Sequence, residues 1–331
     1  MLEQKELNVI EKGEKIDHFL LIRKSELRQT KANKPYLYLE LGDKTQTISA
    51  NLWENFENIF KTIPVGEVVK VLGSLDEYQG NPQLKILSIR KIKPTDKIAP
   101  EDFLPKSKRD LGNMKKEFKD RIEKISNSFL NTLIKNIFTD SNFEKFCKSP
   151  AGKSWHHSYI HGLLEHTLEI MKICDLMCDI HPEINRDLLI CGAMLHDFGK
   201  TEELGSSVSF DYTDKGKLLG HIVIASMVVN EEVKKIFGFP DDLKNLLLHL
   251  ILSHQGKLEF ASPVVPKTLE AITLYQADEL SAKVNAYKNA LSLNSNSENK
   301  WTKFISLAST DLYNHGLSSE IDNSINKTLF D

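Results

Sequence analysis

The hydrophobic period of this chain changes once, from two residues to about 3.6, and that change calls for a β unit followed by an α unit. From about Asp17 to Lys93 apolar and polar residues alternate as in half-buried strands, whereas Met114, Phe118, Ile122, Ile125, Phe129, Leu133 and Ile137 recur at helical spacing. Pro94, Pro100 and Pro105, with charges between them, separate the two patterns as a linker. The expected division is therefore 1–94 all-β, 95–112 linker, 113–314 all-α and 315–331 a polar tail. A chain of 331 residues is long enough to bury both cores.

Within the β part, strands are expected at His18–Ile22, Pro35–Leu41 and, after a Gly42-Asp43 turn, Thr45–Trp53. A short helical stretch from Glu54 to Lys61 is closed by Pro64 and Gly66, and strands Val68–Leu75 and Gln83–Ile92 follow. Three strands, a short helix and two strands is the order of an OB-fold barrel, whose open face binds oligonucleotides or oligosaccharides. Leu37, Leu39 and Leu41 share one face of the second strand and read as core, which turns Tyr36 and Tyr38 outward among lysines. Aromatic rings so placed can stack single-stranded nucleic acid, RNA or DNA. Cross-strand packing is the competing use of the same rings. Trp53 and Phe56 read as structural.

Net charge is −3 and the pI about 6.4, so the chain is not basic overall. Lysine and arginine nevertheless crowd the front half, at Arg23, Lys24, Arg28, Lys31, Lys34, Arg90, Lys91 and Lys93, and a local patch is enough to attract a polyanion. No apolar run reaches the roughly 18 residues of a membrane helix. The first residues lack the pattern of a signal peptide. The four cysteines include no C-x-x-C pair, and Cys174 and Cys178 read as reduced. A cytoplasmic protein without membrane contact is expected, and a homo-oligomer is compatible with the composition.

The second half carries an unusual series of polar residues in apolar helices. His166 lies in Leu163–Leu168, His196-Asp197 closes Leu188–Leu195, and His221 opens Ile222–Val229. His254 ends Leu246–Ser253, and Asp278 lies in Leu274–Leu280. A buried carboxylate needs a partner, and antiparallel helices can aim such groups at one point. Any one histidine would pass as a core residue; five segments in succession point to a metal site. Nitrogen and carboxylate donors without thiolate suit Mn²⁺, Fe²⁺, Co²⁺, Ni²⁺ or Zn²⁺. Six candidates exceed the needs of one catalytic ion, so one or two ions are expected, with Asp197 bridging a pair. Lys153, Lys200 and Lys257 adjoin these segments as phosphate contacts, Lys200 lying one turn beyond His196-Asp197. His156, His157 and His161 form a second group, with His157 expected at the pocket rim.

His166, His196-Asp197 and Asp278 resemble the H…HD…D signature of HD-domain metal-dependent phosphohydrolases. More closely, His156–Tyr159, Gly162–Thr167, Asn185–Leu189, His196–Lys200, Tyr212–Asp214, Leu219–Ile222, Ile251–His254, Leu258–Pro263 and Ala277-Asp278 are similar to the bacterial 3′-to-5′ exoribonucleases of the YhaM family. That family also carries an OB domain in front. The resemblance departs at His161, where glycine is expected, and at Gln255, where the family has a second histidine.

It implies hydrolysis of single-stranded RNA, and of DNA if no 2′-hydroxyl contact discriminates, from the 3′ end to nucleoside 5′-monophosphates. His166, His196, Asp197 and Asp278 would hold the first ion, manganese before the others, and His221 and His254 a second. Asp197 and Lys200 would be catalytic, and Tyr36, Tyr38, Lys153, His157 and Lys257 would bind substrate. Two other readings compete: a nucleotide phosphohydrolase or cyclic-dinucleotide phosphodiesterase, and a non-catalytic OB-fold binding protein.

Overall fold

A computed structural model describes residues 4–316 apart from 79, 97, 99, 154, 206–209 and 294–299. Most of the expected tail, 317–331, lies outside the described residues. Strands β1 (Lys15–Gln29), β2 (Pro35–Gly42), β3 (Thr47–Leu52), β4 (Val68–Tyr78) and β5 (Asn81–Lys91) close in the order β1-β2-β3-β5-β4, with helix α1 (Phe56–Thr62) between β3 and β4. β3 runs parallel to β5 and the other pairs are antiparallel. This is the expected OB barrel. Its interior holds Ile16, Leu20, Ile22, Leu37, Leu39, Leu41, Ile48, Val69 and Val71, all fully buried.

β1 starts before and runs past the segment expected for it, and it breaks alternation at Leu20-Leu21-Ile22 because both of its faces are covered. Leu20 and Ile22 point into the barrel, while Leu21 packs outside with Val68, Phe103, Leu104, Ile160 and Phe210. The connection between the barrel and the helices is thus anchored through buried Phe103 and Leu104, although most of its described residues are partly or fully exposed. Two 3₁₀ turns, Pro94–Asp96 and Pro100–Phe103, shape it, and the Arg23 guanidinium donates to the carbonyls of Asp43 (2.8 Å) and Phe103 (3.2 Å). Pro105 and Ser107 pair with Ile160 through backbone hydrogen bonds of 2.9 and 3.0 Å. The linker is pinned at the edge of the histidine-rich segment.

The helical part comprises α2 (Leu111–Glu123), α3 (Ser128–Ile137), α4 (Asp140–Lys148), α5 (Gly162–Ile180), α6 (Arg186–Leu195), α7 (Lys200–Glu203), α8 (Asp214–Lys234), α9 (Asp241–Ser253) and α10 (Leu269–Leu293). Side chains of Asp110, Asn127, Thr139, Asn185 and Thr213 cap the starts of α2, α3, α4, α6 and α8. Such caps typically contribute about 1 kcal/mol each. The core joins Phe118, Phe146, Leu163, Leu164, Leu189, Met194, Leu250 and Leu274. One expectation fails at the end of this region: residues 300–314 are not helical. They form bridges between Trp301 and Tyr313 and between Ile305 and Thr310, with the Trp301 and Tyr313 rings 5.0 Å apart. That segment lacks the apolar periodicity that would bind a helix to the core.

Candidate metal centre

Four imidazoles and a lysine meet on one buried carboxylate. α6 ends at Leu195, and His196 caps it, so the apolar helix delivers His196 and Asp197 into the interior. α9 ends in the same way at His254. In both caps the ring Nδ1 meets the carbonyl three residues back, Ala193 at 2.8 Å and Ile251 at 2.7 Å. His221 arrives from α8, which is broken at Gly220 by φ 72° and ψ 153°, a conformation that disfavours a side chain. Gly199 permits this approach, because a Cβ there would come within 2.1 Å of the His221 carbonyl oxygen.

Asp197 Oδ2 lies 2.6 Å from Lys200 Nζ, 3.3 Å from His196 Nε2 and 3.8 Å from His166 Nε2. Its Oδ1 lies 3.4 Å from His221 Nε2 and 3.7 Å from His254 Nε2. Asp278 joins through His166, with Oδ1 3.0 Å from its Nε2. The two remaining Nδ1 atoms are also engaged, His166 by Ser281 Oγ (3.0 Å) and His221 by Glu203 Oε1 (3.0 Å). Where a carbonyl or carboxylate accepts from Nδ1 of a neutral ring, as at His196, His254 and His221, Nε2 is left as a lone pair facing Asp197; Asp197 raises the pKa of His196, so a cation there would compete with a proton. The Nε2 atoms of His166, His196 and His221 and Oδ1 of Asp197 are buried without a hydrogen-bond partner. Unpartnered buried acceptors are rare in folded proteins, and a cation is what a set of converging acceptors fits. Nitrogen and oxygen donors with outer-sphere partners on the rings are the chemistry of a transition-metal site. Two triads have ligand atoms within 4.8 Å of one another: His166, His196 and Asp197, and Asp197, His221 and His254.

Electrostatics reinforce this arrangement. Burial pushes the Asp197 carboxyl up, but Lys200 and the neighbouring imidazoles overcome it and hold the group well below its usual range. Burial and the adjacent rings keep His166 well below the ordinary histidine value and bring His254 down to about 4. Both rings are therefore neutral at neutral pH, the form that binds metal. Lys200 is buried and its pKa is raised, burial being outweighed by Asp197.

Other expected positions fall elsewhere. His157 is corrected from the rim to the interior: it has no exposed surface, and its Nε2 lies 3.2 Å from Glu169. Lys153 and Lys257 sit on the surface, paired with Asp211 (2.6 Å) and Glu259 (3.4 Å). Tyr36 and Tyr38 do face out from the barrel, half-buried, with Leu37, Leu39 and Leu41 inside. The Arg28 guanidinium covers the Tyr38 ring at 3.6 Å, and its hydroxyl donates to Glu40. Tyr36 instead stacks on Trp53 at 4.7 Å. Trp53 is 44% exposed, so the structural role expected for it gives way to an exposed aromatic pair; Phe56 is buried as expected. His161 has φ 71°, the left-handed region, which accounts for the glycine expected there. Gln255 places its amide nitrogen 3.3 Å from His254 Nε2.

Sequence reasoning missed Glu203, Ser281, Glu169 and Asn285. Ser281 and Asn285 follow Asp278 at helical spacing on α10, and Glu169 follows His166 by one turn. That spacing was the available signal.

A barrel of OB type joined to a helical domain with an H…HD…D set defines a class, and comparison with known proteins agrees. Residues 163–283 match the HD domain and residues 22–92 the OB-fold nucleic acid binding domain. The HD match implies dependence on a divalent metal, for which the His/Asp clusters provide ligands. Among curated proteins, the chain is 35% identical over 279 residues to the 3′-5′ exoribonuclease YhaM of Oceanobacillus iheyensis, covering 84% of this chain and 87% of that one. It is 36% identical to that of Geobacillus sp. strain WCH70, covering 85% and 86%, and 34% identical to that of Bacillus subtilis strain 168, covering 85% and 89%. The chain belongs to the YhaM family of 3′-5′ exoribonucleases.

Among the described residues, no helix is long and apolar enough to cross a membrane.

Proposed function

We propose that this chain is a metal-dependent 3′-to-5′ exoribonuclease that hydrolyses single-stranded RNA to nucleoside 5′-monophosphates. The observation that carries the reading is the convergence of four histidine Nε2 atoms within 3.3–3.8 Å of the two oxygens of buried Asp197, in a chain related to named exoribonucleases along most of its length.

His166, His196, Asp197 and Asp278 would hold one divalent ion, and His221 and His254, with Asp197 shared, a second. Manganese is the first choice, with cobalt, iron, nickel and zinc compatible with the donors. When bound, such ions supply Lewis-acid neutralisation of phosphate charge and lower the pKa of water towards neutrality. The side chains do the rest. Glu203, Ser281 and the carbonyls of Ala193 and Ile251 fix the ring orientations. Lys200 keeps Asp197 ionised and provides a fixed positive charge where negative charge grows on a phosphodiester during hydrolysis.

Residues 1–94 would grip the strand and 113–314 hydrolyse it, with 95–112 setting their spacing. The grip rests on Tyr36 and Trp53, since stacking tolerates any base and accepts single-stranded DNA as well. The test is digestion of a 5′-labelled oligoribonucleotide with Mn²⁺. Stepwise shortening with release of 5′-monophosphates is expected. Hydrolysis of free nucleoside triphosphates with the RNA left intact would replace this function with nucleotide hydrolysis.

A further inference from the structure

His156 and His157 lie beside His166 but have no assigned part in the chemistry above. They lie in a segment held from three sides. The His157 amide donates to Asn285 Oδ1 at 2.8 Å, and Asn285 Nδ2 donates to the Tyr159 hydroxyl at 3.2 Å. The His157 carbonyl accepts from Ala151 at 3.1 Å, and Ile160 is paired to the linker. His157 itself has φ 43°, a strained value for a side-chain-bearing residue. Strain of this kind persists where the surroundings impose a particular side-chain position, and it concentrates at functional sites.

The His157 ring is fully buried, with Nε2 3.2 Å from Glu169 Oε2, the oxygen that also accepts from Ser281 Oγ at 2.7 Å. Nε2 makes no hydrogen bond there, but the charge of the carboxylate favours the tautomer protonated at Nε2, which leaves Nδ1 as a lone pair. A histidine backed by a carboxylate, with its other nitrogen presented forward, is the usual build of a metal ligand. Glu203 and His221 repeat this arrangement at the Asp197 cluster.

In front of His157 Nδ1, at 3.4 Å, stands His156 Nδ1, which in one tautomer donates to it and which an ion binding both atoms would deprotonate. Two nitrogens on a tetrahedral ion at about 2.1 Å are themselves about 3.4 Å apart. Ligand atoms of His156, His157 and His166 lie within 4.8 Å of one another, and the His156 and His166 rings are 4.8 Å apart.

We propose that the Nδ1 atoms of His156 and His157 form a further metal position beside His166, separate from the ions on Asp197 and suited to a nitrogen-seeking divalent ion such as zinc or cobalt. It rests on the reading that the Asp197 cluster holds metal. Glu169, Ser281 and Asn285 are its positioning residues. Through Ile160 the same segment is fixed to the barrel linker, so the ion would stand at the linker end of the metal cluster.

The test is the metal content of full-length protein loaded with Zn²⁺ and freed of excess ion by gel filtration. Wild type, His156→Ala, His156→Asn and Asp197→Ala are compared, with thermal midpoints confirming that each is folded. Either His156 variant should retain one ion per chain fewer than wild type, and a Co²⁺ titration of either should lose one binding phase. Unchanged stoichiometry in both His156 variants, with ions lost in Asp197→Ala, overturns this site alone. Wild type without bound zinc would instead remove the metal reading of the Asp197 cluster on which it rests.

Discussion

The Asp197 cluster and the outer face of β1 and β2 both gather rings and charges, under opposite conditions. Around Asp197 the rings are mostly buried, and every Nδ1 of the four converging histidines has a partner. On the barrel, Trp53 is 44% exposed, Tyr36 stacks on it and Arg28 covers Tyr38. The interior site is organised before anything binds, as bond cleavage requires. The barrel face offers flat rings beside positive charges, as a grip indifferent to sequence requires. The contrast predicts that damage to the first lowers turnover and damage to the second weakens binding.

Asp197→Ala is the largest expected breach of that division. It should lower kcat on an oligoribonucleotide by roughly 10³-fold or more, while KM stays within about threefold because the barrel is untouched. Steady-state kinetics on a strand long enough to reach the barrel decide this. A KM that rises as steeply as kcat falls would mean that the cluster, not the barrel, holds the RNA.

Acid should also separate the regions in the metal-free protein. His254 titrates near 4 when folded, against about 6.5 unfolded. Between those values the unfolded chain binds more protons, so stability falls as the pH is lowered from about 6.5 towards 4. The loss from this one ring is roughly 3 kcal/mol; His166 shifts in the same direction, whereas His196, lowered by burial but raised more by Asp197, opposes part of it. The carboxylates of Glu14, Glu26 and Asp96 in and beside the barrel also have lowered pKa values, but they belong to ion pairs at the surface. Such surface pairs contribute little. Hydrogen exchange on the full chain, corrected for intrinsic rates, should therefore show α5, α6 and α9 losing protection before β1–β5. Simultaneous loss would show that the two regions unfold as one unit.

Both regions were legible in the sequence to different depths. Alternation at Leu37, Leu39 and Leu41 established the barrel because one face of β2 is core. The ligands were visible because His196-Asp197 interrupts an apolar helix where nothing local requires polarity. Their partners were not, since Ser281 meets His166 across 115 residues and Asn285 meets His157 across 128. Adjacency says less about Lys153 and Lys257, whose side chains extend to surface carboxylates. Trp53 followed the end of a strand, where sequence period no longer distinguishes inside from outside.

Tyr36→Ala with Trp53→Ala sharpens the comparison from the other side. Loss of one stacking platform should raise KM for a long oligoribonucleotide about tenfold and leave kcat unchanged; a dinucleotide, too short to span both regions, should show no effect. The smallest expected changes are for Lys153→Ala and Lys257→Ala. Each removes an exposed lysine already paired with a carboxylate, and kcat/KM should move by less than about twofold. A tenfold loss in either would return it to the substrate path.

The most direct measurement is anomalous diffraction from crystals soaked in Mn²⁺ or Zn²⁺, recorded at the absorption edge of the ion. Density within coordinating distance of the Asp197 carboxylate and of Nε2 of His196 is predicted. Crystals with no anomalous density near Asp197, formed by protein that still degrades RNA after exhaustive chelation, would contradict the account.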